Sequence, residues 1–212
     1  MTILALLRIP TVSLSGAVSK TAAAVFDTAP EALTVAMRSK AKMVNYGIVY
    51  GLSAYGLADR LQIEQDEAQE FIDRYLARFP AVAQFMKDAV EQAKEHGYVS
   101  TLLGRRRQIP EIRARNWQVR SLGERLAVNT VIQGTAADII KVAMVNCHNA
   151  LAEAGLQTRT ILQIHDELLF EGPPEEMEQA TEIVTREMVG AAELDPPLTV
   201  NAGVGDNWLN AK

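Results

Sequence analysis

Arg159-Thr-Ile-Leu-Gln-Ile164 and Leu168-Leu-Phe-Glu171 bracket the polar triplet His165-Asp166-Glu167. Two short apolar runs around a polar cluster read as the strands of a hairpin with acids at its tip. Downstream, Gly172-Pro173-Pro174 interrupts the chain. Met177, Ala180, Val184 and Met188 then share one helical face, and Leu198, Val200, Ala202 and Val204 alternate as a strand. The order β-β-α-β predicts a small antiparallel sheet backed by helices. Most of the preceding hundred residues are helical in pattern, so the fold class is α+β.

Working back from the hairpin, a long helix is expected from about Val119 to Leu151, weakened near Gln133-Gly134 because glycine is a poor helix former. Ala68, Phe71, Ile72, Tyr75, Leu76 and Phe79 form one apolar stripe, and Pro80 ends it. Val82, Phe85, Met86, Ala89, Val90 and Ala93 repeat the pattern up to His96-Gly97, a glycine C-cap. These two helices are expected to pack as a hairpin. Tyr98 to Leu103 reads as a short extended piece. Residues 1–37, whose only acids are Asp27 and Glu31, form a lead-in with no clear pattern.

The 212 residues, 48% of them apolar, can build a true core, which excludes a disordered chain. Twenty-one Lys and Arg against 26 Asp and Glu leave a net charge of −5, which excludes a uniformly basic protein. Within Thr101–Arg125, however, seven Arg face two Glu, a local +5 that suits a polyanion as well as a solvated surface. A single Cys147 forms no internal disulfide, and no Cys/His cluster offers a zinc site, so a reducing cytoplasm is expected. Met1 to Leu7 is apolar, but Arg8 and Pro10 interrupt it and no basic residue precedes it. Neither a signal peptide nor a membrane span of ~20 apolar residues is expected.

Three constellations carry chemistry. Arg38, Lys42, Tyr46 and Tyr50 step by four, placing two cations and two rings along one helix face while Ala41, Val44 and Ile48 turn inward. Cations one turn apart repel until an anion joins them, and a ring beside them stacks on a base or sugar. The face suits a nucleoside triphosphate; a solvated helix with tyrosines at the core edge fits the same spacing. Arg125, Asn129 and Gln133 also step by four, and such donors test the acceptors that every paired step shows in the minor groove. An ordinary exposed face fits as well. Asp166 and Glu167, held on a turn between buried strands, suit Mg²⁺, which takes one or two carboxylates plus phosphate and water oxygens. His165 reads as a packing residue or a contact to a primer.

Taken together these residues resemble the A family of DNA polymerases. Arg38-xxx-Lys42-xxx-Tyr46-xxx-Tyr50-Gly51 resembles the family's fingers helix, and Gln163-Ile-His165-Asp166-Glu167 its catalytic palm turn. Gly104-Arg-Arg-Arg107, Glu124-Arg125-xxx-Asn129-xxx-Gln133-Gly134-Thr-Ala-Ala-Asp138 and Val204-Gly-Asp-Asn-Trp208 match too. The resemblance runs from about Met37 to Lys212 and implies a lead-in at the palm/fingers junction (1–37), a fingers-like helical subdomain (38–125) and a palm-like subdomain with the acidic hairpin (126–212). It implies that Arg38 and Lys42 hold the incoming deoxynucleoside triphosphate, with Tyr46 beside its sugar and Tyr50 near the templating base. Arg125, Asn129, Gln133, His165 and Arg107 would contact primer-template DNA. Asp166 would be one of two metal-holding aspartates, Glu167 an accessory. The implied reaction is attack of a primer 3′-hydroxyl on the α-phosphate with two Mg²⁺ ions, releasing pyrophosphate, as in DNA replication and repair.

The sequence departs from that pattern. The family's other metal aspartate lies in an Asp-Tyr-Ser-x-x-Glu motif, and no such string occurs here; Thr2 to Leu7 resembles the tail of that segment, and Gly16-Ala-Val18 stands where the family has Asp-x-His. Two metal ions ~4 Å apart need more negative charge than Asp166 and Glu167 supply. The metal site is therefore incomplete in this chain, synthesis by the chain alone is expected to be weak or absent, and the missing N-terminal part of the polymerase becomes an expected partner. A non-catalytic DNA- or nucleotide-binding module and a truncated remnant are the alternative readings.

Overall fold

The computed structural model describes residues 5–8, 22–23, 28–195 and 197–211. The elements are β1 (Ala5–Arg8), α1 (Val35–Val49), α2 (Ala54–Leu61), α3 (Gln65–Arg78), α4 (Pro80–His96), β2 (Tyr98–Ser100), β3 (Arg106–Gln108), α5 (Trp117–Glu153), β4 (Arg159–Ile164), β5 (Glu167–Glu171), α6 (Met177–Val189) and β6 (Asn201–Val204). Contacts divide the chain into two compact units, residues 14–135 and residues 1–13 with 136–212. The division falls inside α5.

In the unit 14–135, the two amphipathic helices expected from sequence are α3 and α4. Pro80 starts α4, its fixed φ suiting the first helical turn, and Gly97 at φ +78 closes it. The stripe of α3 buries Ala68, Phe71 and Tyr75 against Val44 and Ile48 of α1 and Leu57, Ala58 and Leu61 of α2. Burial raises the pKa of the Tyr75 phenol. A second cluster, Ala93, Val99, Ile109, Ile112 and Ala127, joins α4, β2, the 3₁₀ turn Pro110–Arg113 and α5. The short extended piece expected from Tyr98 includes β2, and part of the arginine run that follows is strand β3, antiparallel to β2 with Val99 opposite Arg107.

The long helix expected from about Val119 to Leu151 is α5, two residues longer at each end. It begins at Trp117 and runs through Gly134 without interruption. Glycine there answers a packing demand: a Cβ on Gly134 would lie 2.7 Å from Thr101 Cγ2 and 3.1 Å from Arg105 Nη2. Gly123 meets a stricter version of the same demand, since its Cβ would lie 2.7 Å from Ile112 N and 2.8 Å from Glu111 C, both backbone.

In the other unit the expected β-β-α-β order is present, but the sheet has four antiparallel strands in the order β4-β5-β1-β6. The added strand comes from the lead-in. Leu6 pairs with Leu169 on one side and Gly203 on the other, so Ala5-Leu6-Leu7, an apolar run without alternation, is a central strand. Residues 1–4, 9–21 and 24–27, including the Gly16–Val18 departure, lie outside the described residues. Leu168 and Phe170 of β5 pack on Ile139, Ile140, Ala143, Cys147 and Leu151 of α5 and on Ala180, Ile183, Val184 and Met188 of α6. Burying a side chain such as Phe170 contributes about 1.5–3 kcal/mol. Burial first, then the nearby Glu187 carboxylate, pushes the Cys147 thiol up to about 12, so it stays protonated and inert.

Beyond the sheet, Glu176 ties the loop before β4 to the end of the 3₁₀ turn Pro174–Glu176. Its carboxylate accepts from Gln157 N at 3.0 Å, Thr158 N at 2.9 Å and Thr158 Oγ1 at 2.7 Å. These bonds, the Gln157 amide foremost, hold its pKa below the usual glutamate value.

Two stability predictions come from this packing. Gly123→Ala should lower the unfolding free energy by about 1–3 kcal/mol through overpacking, read as a lower urea midpoint, although alanine favours an open helix by about 1 kcal/mol; a stabilised variant would refute the close approach. For Glu176 the folded pKa lies below the unfolded one, so the unfolded chain takes up more protons and stability rises with pH through that range. Glu176→Gln should therefore unfold earlier than the parent at pH 7, with the difference vanishing as pH falls below about 4. A pH-independent difference would show that the charge contributes nothing.

Candidate nucleotide and nucleic-acid interface

The helix α1 begins where Thr34 Oγ1 accepts the amide of Met37 at 3.2 Å, an N-cap bond. From there Ala41, Val44 and Ile48 are buried while Arg38 and Lys42 are exposed, which is the division of faces read from the sequence. The side chain of Tyr46 lies outside the described residues. Tyr50 is half-buried in the turn that follows α1. There Gly51 adopts φ +69, and a Cβ on it would fall 2.8 Å from Arg125 Cγ. The backbone beside Tyr50 thus rests on the aliphatic stem of Arg125 and joins two constellations that spacing alone left separate.

Arg125 and Gln133 are exposed and Asn129 is half-buried along α5. Arg125 Nη1 donates to Ser121 Oγ at 3.1 Å, one turn back on the same ridge. Asn129 Oδ1 is buried without a hydrogen-bond partner among the described residues, so its amide bonds are unfilled on one side. The arginine hairpin β2–β3 is pinned beside this ridge. Leu102 N donates to Thr135 Oγ1 at 3.0 Å, Arg105 Nη2 to the Gly134 carbonyl at 3.0 Å, and Arg107 Nη1 to Thr130 Oγ1 at 3.1 Å. One of the five guanidinium donors of Arg107 is so committed. Arg106 instead stacks over Tyr98 at 4.8 Å. Thr130 and Thr135 were not legible as participants, because a threonine inside a helical pattern signals nothing by itself.

In the other unit, the turn between β4 and β5 has two residues, His165 and Asp166. His165 is exposed with φ +52, a left-handed conformation in which histidine is enriched among non-glycine residues. Gln163 Nε2 donates to its carbonyl at 2.6 Å and fixes the turn. Asp166 is half-buried. Glu167, expected at the tip, is the first residue of β5, 7% exposed, paired in register with Ile164 on one side and Arg8 on the other. The expected three-residue tip is corrected to two because strand pairing extends one residue further. Hard oxygen donors suit Mg²⁺, so Asp166 fits a single carboxylate ligand. Among the described residues no group of three or more His, Cys, Asp or Glu gathers as a metal site.

A family model for DNA polymerase family A matches residues 18–210. The chain belongs to DNA polymerase family A. It is 50% identical over 194 residues to DNA polymerase I of Bacillus caldotenax and 51% identical over 194 residues to that of Bacillus subtilis, covering 92% of this chain and 22% of each relative. The family-A chain thus spans about a fifth of the length of the curated relatives it matches. Among solved structures, it is similar to the POL domain of Pol1 from M. smegmatis in complex with DNA primer-template and dNTP, with a TM-score of 0.91 at 40% identity, covering 99% of this chain and 40% of that one. No helix among the described residues of the family-A chain is long and apolar enough to cross a membrane.

Proposed function

We propose that this chain is the fingers and part of the palm of a DNA-directed DNA polymerase, adding deoxynucleotides to a primer 3′-hydroxyl under template direction in replication and repair, in the cytoplasm. The observation that supports it best is the likeness to a polymerase domain solved with primer-template and dNTP, reached with 99% of this chain. In this reading residues 38–125 serve as fingers, residues 126–212 as palm with the acidic hairpin, and residues 1–37 as the lead-in at their junction. Arg38 and Lys42 neutralise the triphosphate, Tyr46 packs beside the sugar, and Tyr50 lies at the templating base. Arg125, Asn129 and Gln133 test the geometry of the newest pairs, while Arg107 and His165 hold the strands. Asp166 holds Mg²⁺, and Glu167 is left an accessory role. Bound Mg²⁺ supplies charge neutralisation at the transferring phosphoryl group and aligns the attacking hydroxyl.

One turn carboxylate does not balance two divalent ions, whose mutual repulsion at ~4 Å is severe outside bulk water. The sequence holds no Asp-Tyr-Ser-x-x-Glu string to add a second. The chain is therefore a nucleotide- and DNA-binding body that completes its chemistry with a polypeptide carrying that motif.

The test is a gel shift and a primer-extension assay with Mg²⁺. The chain alone should shift primer-template and extend it weakly or not at all. Adding the preceding part of a polymerase I should raise synthesis, and Asp166→Ala in this chain should then cut it at least ~100-fold, as expected for loss of several kcal/mol of metal-borne stabilisation. Robust synthesis by the chain alone, abolished by Asp166→Ala, would overturn the incomplete-site reading; failure to bind either DNA or nucleotide would overturn the function.

A further inference from the structure

The ridge Arg125–Asn129–Gln133 extends in the same four-residue steps through Ser121 to Trp117, the first residue of α5. Trp117 is 69% exposed. From Arg113 to Arg120 the chain carries three arginines and no acid. Arg120 Nη1 donates to the Ala114 carbonyl at 3.2 Å, which holds that guanidinium against the loop leading into the helix. The first amides of α5 are already occupied, since Asn116 Oδ1 accepts from Gln118 N at 2.8 Å and Val119 N at 3.3 Å. Attraction at this end therefore comes from side chains and not from open helix amides.

We propose that Trp117 is a stacking platform for unpaired bases of the template strand beyond the duplex, with Arg113, Arg115 and Arg120 taking its phosphates. The assignment rests on the primer-template reading above. In that reading Asn129 and Gln133 face paired bases. Gly51 touches Arg125, so Tyr50, at the templating base, marks where pairing ends. Trp117 lies eight residues further along α5, about 12 Å at 1.5 Å per residue. That distance equals roughly three to four base steps at 3.4 Å each, the range in which a template is still single-stranded. Every base offers a π-face, so an indole there binds without reading sequence, while the flanking cations follow the backbone. A neutral or basic protein partner covering the indole would leave the arginines desolvated without counter-charge, whereas a strand's phosphates follow the three cations while its bases meet the indole. Charge complementarity thus selects the nucleic acid.

The test uses the 212-residue chain in a Trp208→Phe background, which leaves Trp117 as the sole tryptophan. Oligo(dT), a primer-template with a 5′ overhang and a blunt duplex are titrated separately. Binding of the first two should quench Trp117 emission, and binding of the blunt duplex should not. Trp117→Ala should weaken the first two about tenfold and leave blunt-duplex affinity unchanged, and Trp117→Phe should retain most of the binding. Unchanged affinity of Trp117→Ala for the overhang, or unquenched emission on binding, overturns the proposal while the polymerase reading stands. Loss of self-association in Trp117→Ala with DNA affinity intact assigns the surface to a second copy and also overturns it. A parent chain that binds none of the three DNAs overturns both readings together.

Discussion

The cationic surface of this chain depends on the docking of one hairpin. Thr101 to Arg107 would repel itself as free loop, since three consecutive guanidiniums stand with no acid among them. It is held because Leu102 N, Arg105 Nη2 and Arg107 Nη1 each find an oxygen between Thr130 and Thr135 of α5. Each such bond contributes about 0.5–1.5 kcal/mol net. Together they cross the gap only because Gly134 lacks a Cβ where Thr101 approaches. The absence of one methyl group thus sets which charges stand beside the Arg125 ridge.

This dependence explains what was legible in the sequence. Helices α3 and α4 were readable because their apolar residues recur at helical spacing and Pro80 and Gly97 punctuate them, signals that reside in neighbouring residues. Strand β3 was not, since Arg106-Arg107-Gln108 has neither apolar alternation nor β-branched residues and exists only by pairing with Tyr98–Ser100. Strand β1 was missed for a related reason. Four residues without alternation become a strand only between β5 and β6, partners that begin 159 or more residues later. The gap in reading Gly134 was of a different kind: propensity called it a weak point, whereas close approach makes it a contact. The candidate residues on α1 and on the Arg125 ridge were legible in spacing, and the contact of Gly51 with Arg125 was not.

The acidic turn shows how pairing decides chemistry. Composition put His165, Asp166 and Glu167 together as a polar tip, yet the ladder continues through Glu167 and withdraws that carboxylate into the sheet. Asp166 is left on the turn, which is rigid because β5 is paired on both edges and because Gln163 clamps the His165 carbonyl. A rigid, half-buried carboxylate loses little freedom on binding a cation, the condition for a precise ligand. It also brings only one negative charge, so a site with two divalent ions needs acids from elsewhere.

Charge distribution adds a last constraint. The whole chain is at −5 while Thr101–Arg125 alone is at +5, so the remaining residues carry a strongly negative balance. A polyanion meets net attraction at this segment and, on average, repulsion from the rest of the chain, with the Arg38–Lys42 stretch as a local exception, so the charge balance favours encounters at this segment. Both effects are screened beyond about 10 Å at 0.1 M salt. Added salt therefore removes the attraction and the surrounding repulsion together, weakening correct docking while admitting misplaced encounters. A uniformly basic protein would lose affinity with salt but would have no such discrimination between faces to lose.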